Sequence, residues 1–108
     1  MIMRRDVFQA IADPVRRDII ELLSKEDMTV NEVAENFEIS RPAISKHLKI
    51  LNECEVIHIK KDGRARICTI VPKQLMTVAD WLEKYRKLWD NKLDNFENYL
   101  EELKRKNQ

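Results

Sequence analysis

Four side chains close together in the sequence, Arg41, Ser45, Lys46 and His47, offer a guanidinium, a hydroxyl, an ammonium and an imidazole. Their shared chemistry is hydrogen-bond donation. Arg can fork onto two acceptors of one guanine edge, and Ser and Lys can donate to single acceptors in the same groove of a duplex. Further along, Lys60, Lys61, Arg64 and Arg66 form a second cationic set, while Ser40, His47 and Lys49 flank the first. Groups of that kind suit phosphate, which positions a protein without reading sequence. Catalytic inventory is missing by comparison. Two His, two Cys and one Gly supply no triad, phosphate loop or paired-acid site, so no enzyme is expected.

Donors of this kind need a rigid frame. Ser40 is a favoured N-cap, Arg41 and Pro42 fall in the first turn, and Ile44, Leu48 and Leu51 recur at helical spacing. A helix over residues 40–52 then turns that apolar stripe inward and Ser45, Lys46, His47 and Lys49 partly or wholly outward. Before it, Thr29 and Glu32 make a T-x-x-E capping box for a helix with Val30, Val33, Ala34 and Phe37 on its apolar face. Glu38-Ile39 is the connection, with Ile39 expected to be buried as a plug. Upstream, Asp13-Pro14 ends a short helix over Asp6 to Ala12 and caps a second one, with Val15, Ile19, Leu22 and Leu23 inward. Asp13, Arg16 and Arg17 are expected to brace that helix by capping and local ion pairs.

After Glu55 the period changes. Val56, Ile57 and Ile59, then Ile67, Thr69, Ile70 and Val71, are β-formers on either side of Lys60-Lys61-Asp62-Gly63-Arg64, and Asp-Gly between such runs signals a hairpin. Its tip is cationic. Beyond Pro72, Leu75, Val78, Leu82, Tyr85, Trp89, Leu93, Phe96, Leu100 and Leu103 are three or four residues apart. A straight helix of that extent is about 48 Å long, against a diameter of roughly 35 Å for a domain of this size. It must break, with Asp90-Asn91 the favoured place, or lie against another subunit.

The fold class is therefore mainly α with a small β-hairpin: a winged helix-turn-helix followed by a long C-terminal helix. Residues 1–72 are read as the DNA-binding domain and residues 73–108 as a helical dimerisation segment of the same compact unit. With 44% hydrophobic and 36% charged residues and a single Gly, the chain has material for one core and few forced turns. Net charge is +1, but residues 40–72 carry +4 against −4 over residues 1–39. Such a local basic patch is the electrostatic footprint of phosphate binding. No run approaches the roughly 18 apolar residues of a membrane span, no leader is recognised, and two cysteines make no disulfide framework, so a cytoplasmic location is expected.

The runs D-P-V-R-R-D-I-I-E-L-L at 13–23, T-V-N-E-V-A-E-N-F at 29–37, I-S-R-P-A-I-S-K-H-L-K-I-L at 39–51 and K-D-G-R at 61–64 resemble the ArsR-type winged-helix repressors. The resemblance implies a homodimer on double-stranded DNA with an inverted-repeat operator. It places base reading on Arg41, Pro42, Ser45 and Lys46. It also implies a dimer interface from the first and last helices, here Val7, Phe8, Ile11, Leu75, Val78, Leu82, Tyr85, Trp89, Leu93 and Phe96. Many members sense metals through a Cys-x-Cys pair in the third helix or His and Asp ligands on the last. Here Thr29-Val30-Asn31-Glu32 has no thiol, and no His follows His58. No metal site and no cofactor is therefore expected, and the tail W-L-E-K-Y-R-K-L-W resembles those of the non-metal, autorepressor-like branch.

Two rival readings remain open. In one, the winged helix is scaffold for protein interaction through the C-terminal helix, although such a scaffold has no need of the basic set. Alternatively Cys54 and Cys68, at the end of the reading helix and in the returning strand, form a thiol redox switch, against which stands the usual role of Cys as a small buried hydrophobe. Neither operator nor effector is named by the residues.

Overall fold

Helix starts are fixed by side-chain caps throughout the first half of the chain. In the computed structural model, which describes residues 5–107, the Asp6 side chain caps helix α1 (Val7–Ile11) by accepting from the Gln9 N–H. Asp13 caps α2 (Pro14–Lys25), with Pro14 in its first turn. Thr29 and Glu32 complete the expected capping box on α3 (Val30–Glu35), and Ser40 caps α4 (Arg41–Glu53). Each cap satisfies N–H groups that have no partner within the helix.

The sheet has three strands where the sequence suggested two. Strands β2 (Ile57–Asp62) and β3 (Ala65–Ile70) form the hairpin, turning at Gly63, whose φ of +61° suits a residue without Cβ. A further strand, β1 (Met28–Thr29), pairs antiparallel with β3, Met28 opposite Cys68 and Thr29 opposite Ile67, giving the order β1-β3-β2. Two residues carry no readable alternation, so this strand has no sequence signal.

The core gathers Val7 and Ala10 of α1, Ile19 and Leu23 of α2, Val33 of α3, Ile44, Leu48 and Leu51 of α4, then Cys54, Val56, Ile57 and Cys68. Val7, expected at a dimer face, lies inside this core at 2% exposure, because a helix this short turns only its i and i+3 positions inward. Ile39 is no plug: it is 41% exposed. Phe37, two residues earlier, packs against the core in its place.

Helix α4 ends in a Schellman motif. The N–H of Val56 bonds to Leu51 O and that of Glu55 to Asn52 O, with Glu55 at φ 61° in the left-handed region that glycine usually takes. After Pro72, α5 (Lys73–Lys106) runs without a break at Asp90-Asn91. No Gly or Pro lies in that stretch to interrupt it. The chain divides into two compact units, one up to Val78 and one from Ala79. The first includes the opening turns of α5, whose Leu75 and Val78 pack on the core. The second is helix alone, its side chains exposed.

Candidate nucleic-acid interface

Burial of Ile44, Leu48 and Leu51 fixes which way α4 faces. Arg41, Pro42, Ser45, Lys46, Lys49 and Asn52 are all exposed, as is the cap Ser40. The side chain of Glu53 on the same helix is occupied by Arg5, Nε to Oε2 at 2.6 Å.

Strand alternation sorts the wing cations. Lys61 stands directly opposite Arg66 across the hairpin, and both, with Ile59, line a cavity of about 540 Å³ whose other wall is Ser45, Leu48, Lys49 and Asn52 of α4. A neighbouring cavity of about 360 Å³ brings Arg41 and Ser45 together with Arg64, Arg66, Thr29 and Asn31. Helix α4 and the wing thus share one groove. Like charges directly opposite on a sheet repel, and among the described residues no carboxylate forms an ion pair with Arg41, Lys49, Lys61, Arg64 or Arg66. The groove is therefore built to receive negative charge. Asn31 and Asn52 escaped the sequence reading, because their membership depends on the approach of α3 and the wing to α4.

Two expected phosphate contacts stand apart from this groove. Lys60 follows Ile59 on the strand, so its side chain points to the opposite face, and it lines neither cavity. His47 is half-buried on the α2 side of α4, where its Nδ1 lies 3.3 Å from Arg16 Nη1. Arg16 also donates to the carbonyls of Gln9 and Ala10 at the end of α1, at 2.9 and 3.0 Å, and lies 4.0 Å from Asp13. Arg17 donates to Ile11 O. The Asp13, Arg16 and Arg17 group thus braces helix α2 as expected, and extends further to α4.

Burial would raise the Asp13 carboxyl, but the backbone N–H groups of Arg16 and Val15, with the guanidinium charge of Arg16, bring it below its ordinary value. Cys54 and Cys68 are both buried and free. Desolvation pushes the Cys54 thiol up and that of Cys68 to about 11, which suppresses the reactive thiolate. Among the described residues no cluster of three His, Cys, Asp or Glu is placed to hold a metal, and no helix is long and apolar enough to cross a membrane.

Of the residues expected at a dimer face, Phe8 is 37% exposed, Ile11 partly buried, and Leu75 and Val78 packed on the core. Leu82, Tyr85, Trp89, Leu93 and Phe96 are between 44% and 63% exposed.

Residues 13–58, which span the helix-turn-helix and the start of the wing, match the family model described as "Bacterial regulatory protein, arsR family". The transcriptional repressor SdpR of Bacillus subtilis is 40% identical over 82% of this chain and 98% of its own length. The chain belongs to the ArsR family. An HTH-type transcriptional regulator of Mycobacterium tuberculosis, Rv2034, is 30% identical over 87% of this chain and 85% of that protein. The crystal structure of an ArsR family transcriptional regulator superposes with a TM-score of 0.71 at 37% identity, covering 77% of this chain and 91% of the other. Fold and family agree: this is a winged helix-turn-helix of the ArsR type, a DNA-binding regulator of transcription.

Proposed function

We propose that this ArsR-family chain is a homodimeric repressor that reads an inverted-repeat operator with α4 and grips the adjacent phosphates with its wing. The observation carrying the proposal is the groove shared by α4 and the hairpin, lined by cations that pair with no carboxylate among the described residues. Arg41, Pro42, Ser45 and Lys46 are the base-reading set, since N-terminal residues of a recognition helix reach base edges. Ser40, Lys49, Lys61, Arg64 and Arg66 are the phosphate set. Lys60 and His47 are left out of it because they face elsewhere.

The second copy is held through α5, whose apolar residues from Leu82 to Phe96 are exposed in the single chain. Two wings on a two-fold axis then meet half-sites about one helical turn apart. The usual metal positions of the family hold no thiol or imidazole, since α3 starts Val30-Asn31-Glu32 and α5 contains Asp80 but no His. The chain is accordingly read as a regulator without a metal switch and without enzymatic activity, acting where the chromosome is.

Selection of binding sites from random duplex DNA tests the proposal. An inverted repeat bound by a dimer is expected; enrichment of no common sequence would overturn it. On the selected site, Arg41→Ala should relax base preference at one position per half-site, a loss of about 1–3 kcal/mol of discrimination. Full specificity in that variant would remove base reading from α4.

A further inference from the structure

The contact between Arg16 and His47 joins three helices. Arg16, on α2, has its Nε and Nη2 on the carbonyls of Ala10 and Gln9 at the end of α1 and its Nη1 at His47 Nδ1 on α4. A guanidinium has only donors. Nδ1 must therefore accept, which leaves the neutral imidazole with its proton on Nε2. His47 lies on the flank of α4 turned to α2, across the buried Ile44–Leu48 stripe from Ser45, so it is not part of the groove. Arg16 is itself largely buried, its side chain 11% exposed, and a charged group at that depth keeps its geometry only when its donors are satisfied.

We infer that Arg16 is a positioning residue for the reading helix: it fixes the tautomer of His47 and, through it, the roll of α4 relative to α1 and α2. The inference rests on the reading of α4 as the recognition helix, and it changes the role expected of His47 from phosphate donor to hydrogen-bond acceptor facing inward. Rolling a recognition helix about its axis carries Arg41 and Ser45 off the base edges, so the effect falls on operator affinity. The α1 carbonyls are the fixed end of the strut.

The test separates the two nitrogens of His47. In His47→Asn the amide oxygen takes the place of Nδ1 and accepts from Arg16; in His47→Gln the amide takes the place of Nε2 and leaves Nη1 of Arg16 without its acceptor on α4. His47→Asn is expected to bind the selected operator within about twofold of the parent, and His47→Gln roughly tenfold more weakly, the loss of one hydrogen bond to a charged group. Thermal melts establish that both are folded. Long-range nitrogen–proton NMR of the free parent chain should give an unprotonated Nδ1 and a protonated Nε2 at His47, and Arg16→Met should return the ring to a mixture of tautomers. The reverse order, with Gln strong and Asn weak, would make His47 a phosphate contact and overturn the inference. So would equal affinities of the two variants, or a protonated Nδ1 in the parent. If even the parent fails to bind any selected duplex, the DNA reading falls, while the tautomer measurement still decides the strut.

Discussion

At Asp13 one carboxylate oxygen accepts from two backbone N–H groups, Val15 at 2.8 Å and Arg16 at 3.2 Å. Asp13→Ala should lower stability by about 1 kcal/mol, the usual worth of an N-cap, measured by denaturant unfolding. The Asp13 carboxyl titrates lower in the folded chain than in the unfolded one. Its stabilisation is thus present above the ordinary carboxylate range and lost as pH falls through the lowered value, so the difference between parent and variant should shrink in acid. A gap that widened below pH ~3 would contradict the assigned cap. Glu55 works in the other direction. An L-residue in the left-handed region carries a strain of about 1–2 kcal/mol, so Glu55→Gly should raise stability by up to about 1 kcal/mol once the greater freedom of the unfolded chain is subtracted. At this scale the sequence was largely legible. Caps at Asp13, Thr29 and Ser40 are local, encoded within four residues, and all appear where the side chains predicted them. The strut from Arg16 to His47 was not, because its partners are 31 residues apart and only the packing of α2 on α4 joins them.

Among the elements, the wing separates cations that look equivalent in sequence. Lys60 and Lys61 are neighbours in the chain, yet one side chain faces the α4 groove and the other the far side of the sheet. Lys61→Gln should flatten the dependence of operator binding on salt by about one unit, the share of one released counterion, whereas Lys60→Gln should leave the slope near that of the parent. Arg64→Ala should behave like Lys61→Gln and weaken all sequences alike. Equal slopes for the two lysine variants would show that the face of the hairpin does not matter. The hairpin itself was readable from Asp62-Gly63 between β-formers. Its register was not, because one residue of slip exchanges the two faces, and the pairing with β1 and burial of Cys68 that hold it join distant residues.

For the whole molecule, the exposed apolar residues of α5 set the expectation. A chain ending at Val78 keeps Leu75 and Val78 on the core and should stay folded but monomeric, with operator affinity lost because no second copy is held at the other half-site. Sedimentation with and without the selected duplex would check both parts, and a truncated chain that remained dimeric would move the interface elsewhere. The apolar spacing of this helix is legible in the residues, but its continuity is not, since Asp90-Asn91 offers a place to break that the helix does not use.

The small strand β1 ties the wing to the helix-turn-helix. Thr29 is at once the cap of α3 and the partner of Ile67 on the central strand, so the helix-turn-helix sits inside a loop whose two ends are fastened together. The hairpin is therefore no loose flap. Its central strand is paired with the very residue that caps α3, the helix that leads into α4, so wing and reading helix share one anchor at Thr29.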